Sequence, residues 1–265
     1  MPDEFKIKDN YNINDLISIV ALLRAPGGCP WDAAQTHESI KKNFIEETYE
    51  VVEAINKNNP DMLREELGDI LLQVALHTEI EREKGSFTFD DVADEIVKKL
   101  VARHPHVFGE KTANTVAQAL DSWDEAKAKL KNQKSQSQAM DSVPRELPAL
   151  MRAQKIQHKA KKAGFDWDNV DGAFDKIYEE LDELKIAMKQ HNQAEIENEF
   201  GDVLFSAVNI ARFIDVDSEE ALTDSTDKFV SRFKKVEQMA KEQGIDMKNS
   251  SVEELDVLWD NAKKK

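Results

Sequence analysis

The chain repeats itself, and that repetition limits its fold more than any other feature. Ala163-Gly164-Phe165-Asp166-Trp167-Asp168 answers Gly28-Cys29-Pro30-Trp31-Asp32. Glu179-Glu180-Leu181-Asp182-Glu183 answers Glu46-Glu47-Thr48-Tyr49-Glu50, and Glu199-Phe200-Gly201-Asp202 answers Glu66-Leu67-Gly68-Asp69. Lys228 and Arg232 then match Lys99 and Arg103, and Trp259-Asp260 matches Trp123-Asp124. Landmarks returning in one order mark a tandem duplication of a single module. The modules are expected over 1–130 and 149–265, joined by a polar, partly flexible linker over 131–148 that ends in Pro144 and Pro148.

Each module reads as helical. Helices are expected from Asn14 (as N-cap) to about Arg24, Ile40 to Lys57, Pro60 onward, Asp90 to Arg103 and Val116 to Leu130. The break at Ala25–Asp32 reads as a turn around a buried Trp31. Nine glycines and few β-branched alternations leave little room for sheet, so the fold class is all-α. The glycine inside each Glu-x-Gly-Asp segment costs about 1 kcal/mol relative to alanine. Gly68 and Gly201 therefore suggest that another helix or a ligand approaches the backbone there.

Composition narrows the function. A net charge of −16 with 33% charged residues excludes a broad basic surface for a nucleic-acid polymer. No apolar run reaches the ~18 residues of a membrane span. The N-terminus lacks a signal pattern, and the single cysteine, Cys29, reads as an ordinary loop residue of a cytoplasmic protein.

The acids carry the chemistry. Glu180 with Glu183, and Glu199 with Asp202, stand at i and i+3 and so share helix faces. Antiparallel pairing of the two helices would gather four carboxylates whose repulsion a cation must relieve. Neither helix has the Glu-x-x-His of di-iron bundles, and oxygen-only ligands point to Mg²⁺, with Mn²⁺ a possible substitute. Such an ion shares its remaining positions with substrate phosphates. Lys228 and Arg232, at i and i+4, are placed to grip them, and Lys176 stands one turn before Glu180. Trp259 would border a base or pack in the core. Water attack on phosphorus is the economical reaction, with Glu179 as base or as an orienting carboxylate. Glu47, Glu50, Glu66 and Asp69 form a second quartet, but Asn43 stands where Lys176 does, so that copy is weaker as a nucleotide site.

With the doubled EExxE…ExxD, Gly-Phe-Asp-Trp, Leu-Pro-Ala-Leu-Met-Arg-Ala-Gln-Lys-Ile-Gln and Arg-His-Pro-His-Val-Phe, the chain resembles, over nearly its whole length, the MazG family of tandem nucleoside triphosphate pyrophosphohydrolases. The resemblance implies Mg²⁺-dependent hydrolysis of nucleoside triphosphates, with many bases tolerated, to monophosphate and pyrophosphate. It also implies a homodimer that completes four-helix bundles around the acidic helix pairs. Carried over, Glu180, Glu183, Glu199 and Asp202 become metal ligands, and Glu179 stays the candidate base. Lys176, Asp202, Lys228, Arg232 and Trp259 would contact nucleotide, with the second module performing the hydrolysis. The alternatives are an enzyme restricted to dUTP or dCTP, and a helical scaffold that binds metal or nucleotide without turnover.

Overall fold

A computed structural model describes residues 5–130 and 136–263. Every element among the described residues is a helix or a turn, which confirms the all-α class. The chain divides into two compact units, residues 1–130 and 131–265.

The first unit contains α1 (Ile13–Arg24), α2 (Pro30–Ala33), α3 (His37–Asn56), α4 (Pro60–Glu83), α5 (Phe89–Arg103), α6 (Pro105–Phe108) and α7 (Val116–Leu130). α3 and α4 form its central hairpin, and α1 packs on α4. Val20, Ile40, Ala75, Leu76 and Ile80 make the buried core between them. The hairpin turns at Asn58, in the left-handed region at φ 50°, and Asn59 then caps α4 by accepting from the Asp61 and Met62 amides. A short turn of this kind makes the two helices antiparallel.

The second unit repeats the plan in α8 (Gln136–Asp141), α9 (Ala149–Lys162), α10 (Asp171–Gln190), α11 (Gln193–Phe213), α12 (Ser218–Gln243) and α13 (Val252–Lys263). α10 and α11 form the hairpin, α9 packs on α11 as α1 does on α4, and α13 packs on α12. The turn again uses a left-handed residue, His191, followed by an asparagine cap, Asn192. Gln157 of α9 donates to the Phe205 carbonyl of α11 at 2.8 Å, and this buried bond fixes their register.

Several local expectations are corrected. The cap of α1 is Asn12, not Asn14. Its side chain accepts from the Asn14 and Asp15 amides while Asp15 accepts the Asn12 amide, a reciprocal box. α3 starts at His37, before the expected Ile40, because Thr36 and Ser39 cap each other in the same way. Trp31 is 63% exposed rather than buried. Arg24 takes the interior place: it donates to the Asp32 and Gln35 carbonyls and pairs with Glu83, so the loop closes on a guanidinium. Part of the stretch read as a linker is α8, which packs on α9 through a segment that buries Ala139 and Val143. Lys131–Ser135 lie outside the described residues. Among the described residues nothing comes within 4 Å of a Cβ built on Gly68 or Gly201, so no described helix of the same chain explains those glycines. No helix among the described residues is long and apolar enough to cross a membrane.

Candidate metal and nucleotide site

The α10–α11 hairpin brings Glu180, Glu199 and Asp202 together, with one carboxylate oxygen of each within 4.8 Å of the others. Glu180 is only 5% exposed, Glu199 is half-buried and Asp202 is exposed. The same construction recurs on α3–α4 with Glu47, Glu66 and Asp69. The two hairpins thus deliver the same oxygen trio, because the i, i+3 spacing and the hairpin length are shared.

Glu183, the fourth acid of the quartet, lies beside this trio and feels it. Loss of hydration, then the charges of Glu180, Glu199 and Glu179, push its carboxyl above the ordinary range, against the pull of Lys176. In the first unit, loss of hydration, the hydrogen bond to Glu50 and the charge of Asp69 push Glu47 up. Loss of hydration and the charges of Glu50, Glu65 and Asp69 do the same to Glu66. Carboxylates that raise one another's pKa concentrate negative charge in a small volume. The oxygen-only donor set and the spacing both fit a hard divalent cation.

Lys176 is the cation the structure brings to the second quartet. Its ammonium lies 2.6 Å from Glu180 Oε1 and 3.2 Å from Glu179 Oε1. The bonds to Glu180 and then Glu179 hold it well above the ordinary lysine range. Glu179 itself is exposed on the same helix, one position from the trio. Asn198 was missed in the sequence: its amide donates to Glu199 at 3.5 Å and to Asp202 at 3.4 Å, and so links the two. Its spacing of one and four residues from those acids was the available signal.

Lys228 and Arg232 are not joined to the quartet. They lie on α12, exposed and half-buried respectively, and neither makes an ion pair among the described residues. Trp259 of α13 packs against Phe229 with ring centroids 5.1 Å apart, beside the core of Val236, Ala240, Leu258 and Ala262. In this state Trp259 is thus a packing residue, with Lys228 and Arg232 on the adjoining helix.

The comparisons with known proteins agree with this duplicated architecture. A family model described as the MazG nucleotide pyrophosphohydrolase domain matches residues 35–108 and again 172–237, and each match contains one acid quartet. The chain is similar to the nucleoside triphosphate pyrophosphohydrolase/pyrophosphatase MazG of Thermotoga maritima, 47% identical over 94% of this chain and 94% of that one. It is also similar to a nucleoside triphosphate pyrophosphohydrolase of Escherichia coli, 42% identical over 95% and 97% of the two chains. Against the uncharacterized protein YabN of Bacillus subtilis it is 47% identical over 93% of its own length, which is 50% of that protein. The doubled domain, the paired quartets and this extent of likeness have one reading: the chain belongs to the MazG nucleotide pyrophosphohydrolase family.

Proposed function

We propose that the second unit hydrolyses nucleoside triphosphates, with little regard for the base, to the monophosphate and pyrophosphate, using Mg²⁺ or Mn²⁺. The observation that carries this is the carboxylate trio of Glu180, Glu199 and Asp202 with Lys176 held against Glu180. Anionic ligands for a cation and a cation one turn away are the two halves of a phosphate–metal site. A bound ion would neutralise the phosphates and lower the pKa of the attacking water.

The protein's own residues do the rest. Glu183 completes the quartet, and Glu179 takes or orients the proton of the attacking water. Lys176 turns from Glu180 to a phosphate oxygen, and Lys228 and Arg232 of α12 hold the outer phosphates. Trp259 borders the nucleoside. None of these contacts reads the edge of a base, which favours broad specificity. The activity belongs in the cytoplasm, with the nucleotide pool.

Assembly as a homodimer is part of the proposal. Large apolar side chains remain exposed at equivalent places on both hairpins: Leu67 and Phe200, Leu71 and Leu204, Ile55 and Met188. Recurrence of bare apolar positions on each acidic pair favours a second copy covering them and completing a four-helix bundle. It also gives Gly68 and Gly201 a neighbour.

Pyrophosphate release from a panel of nucleoside triphosphates tests the reading. Comparable rates across bases are expected. Turnover of one pyrimidine triphosphate alone would mean a restricted enzyme, and Mg²⁺-dependent binding without product would mean a scaffold.

A pH-dependent effect of Mg²⁺ on stability is expected as well. Carboxyls raised above their unfolded values contribute stability below the ordinary carboxylate pKa and lose it as pH rises through the folded value. At pH 7.5 the metal-free quartets therefore work against folding, and Mg²⁺ at 100 times its Kd should add about 2.7 kcal/mol for each quartet it fills. The gain should shrink towards pH 5, as protons take the places of Glu183, Glu47 and Glu66. Thermal midpoints with and without Mg²⁺ measure it; an unchanged midpoint at pH 7.5 contradicts metal binding.

A further inference from the structure

The two quartets share their acids and differ in what surrounds them. Lys176 of α10 precedes Glu180 by one turn and is bonded to it at 2.6 Å and to Glu179 at 3.2 Å. The equivalent residue of α3 is Asn43, an uncharged amide one turn before Glu47. Asn198, which donates to Glu199 and Asp202, is likewise replaced by Glu65. The first site thus lacks one positive charge and gains one negative charge relative to the second. No cation is paired with Glu47, Glu50, Glu66 or Asp69 among the described residues.

We infer that Lys176 is a displaceable counter-ion that makes metal binding at the second quartet depend on nucleotide, whereas the first quartet takes its divalent cation without nucleotide. The inference rests on the phosphate–metal reading of the second unit. Glu180 is the most buried member of its trio and its Oε1 already holds the Lys176 ammonium, so a divalent ion set among the three carboxylates is repelled by that ammonium and competes with it for the same group. An arriving triphosphate offers Lys176 another anionic partner and frees Glu180. Metal and nucleotide then enter with positive coupling, which linkage makes reciprocal. With Asn43 there is no ammonium to remove and no cation to offer a phosphate. The first quartet becomes a resident-metal site rather than a second active site. Lys176 on this view both binds a phosphate and prevents the enzyme from loading metal idly.

The test is a Mn²⁺ titration followed by electron paramagnetic resonance on the full chain. Glu47→Gln silences the first quartet so that the second is read alone, and Glu180→Gln does the reverse; circular dichroism at 222 nm verifies folding. Without nucleotide, the first quartet should bind Mn²⁺ about tenfold more tightly than the second, within the usual range of coupling. Lys176→Asn should tighten the second quartet by about that factor, and Asn43→Lys should weaken the first. A nucleotide analogue with a non-hydrolysable α–β linkage should tighten Mn²⁺ binding at the second quartet, and less so in Lys176→Asn. Equal affinities in the parent proteins, or an unchanged or weakened second quartet in Lys176→Asn, overturn the inference. Pyrophosphate release from the parent protein reads the enzyme proposal separately. Activity with equal Mn²⁺ affinities defeats the counter-ion role alone. Tenfold-different affinities that respond to Lys176→Asn uphold the Lys176–metal competition even without turnover, and then it is the nucleotide reading that falls.

Discussion

Glu180→Ala and Asp202→Ala proteins should release pyrophosphate at least about a hundredfold more slowly than the parent, since even residues that only support a metal ligand cost 10–100-fold. Their helical content should not change. Glu180 makes one ion pair, with Lys176, and otherwise faces like charges, so its removal relieves repulsion instead of opening a core. A loss of activity together with a loss of circular dichroism would point to a structural acid. Full activity in both variants would remove the second unit as the catalytic one. Glu47→Ala is the informative partner. Glu47 sits in the same trio geometry but with Asn43 in place of the lysine, so its loss should cost at least about tenfold less than that of Glu180. Equal losses would mean that the two sites work as one.

How far the sequence reaches depends on what kind of contact is asked about. Spacing along one helix was legible: Glu199 with Asp202, and Glu66 with Asp69, come together at i, i+3 because helix geometry dictates it, and each hairpin adds one acid of its other helix, Glu180 or Glu47. The length of α7, Val116–Leu130, was legible for the same reason. Contacts between elements were not. Trp31 and Arg24 flank the same turn, and hydrophobicity favours the tryptophan for the interior. Yet the guanidinium goes inside, because Asp32 and Gln35 present carbonyls that only a donor can satisfy. The duplication itself misleads here. In the first unit the buried arginine is on α1 and its acid, Glu83, on α4; in the second, Arg212 is on α11 and its acid, Asp166, follows α9. The ion pair is kept in kind while its ends change places, so no residue-by-residue match reveals it. Trp259 shows the limit at the site. Of its two readings, bordering a base or packing in the core, the structure shows the packing, but the partner ring, Phe229, is set by the fold of α12 on α13 and could not be read from the sequence.

That exchanged ion pair gives the largest expected stability effect. Arg212, with a side chain 2% exposed, donates to Asp166 Oδ2 at 2.9 Å and Oδ1 at 2.5 Å and to Asn209 Oδ1 at 2.8 Å. Asp166 is less enclosed, at 16%. Removing one partner of such a pair typically costs about 3–5 kcal/mol, much of a small domain's stability. The two removals are not equivalent. Asp166→Ala leaves a guanidinium that cannot lose its proton in the interior, whereas Arg212→Met leaves a carboxylate that can take one or turn to water. Asp166→Ala should therefore be the worse variant, and the double variant should recover much of its loss, because no buried charge remains. The pH dependence follows from the carboxyl. Burial pushes Asp166 up, but the hydrogen bond and charge of Arg212 outweigh it and hold the group below its ordinary value. The pair's contribution is accordingly present above about pH 4, the unfolded aspartate range, and lost as pH falls through the lower folded value. In urea titrations the gap between parent and Arg212→Met should be wide at pH 7 and narrow below pH 4. A gap independent of pH would mean that Arg212 stabilises through its contact with Phe213, 4.3 Å from guanidinium to ring, and not through its charge.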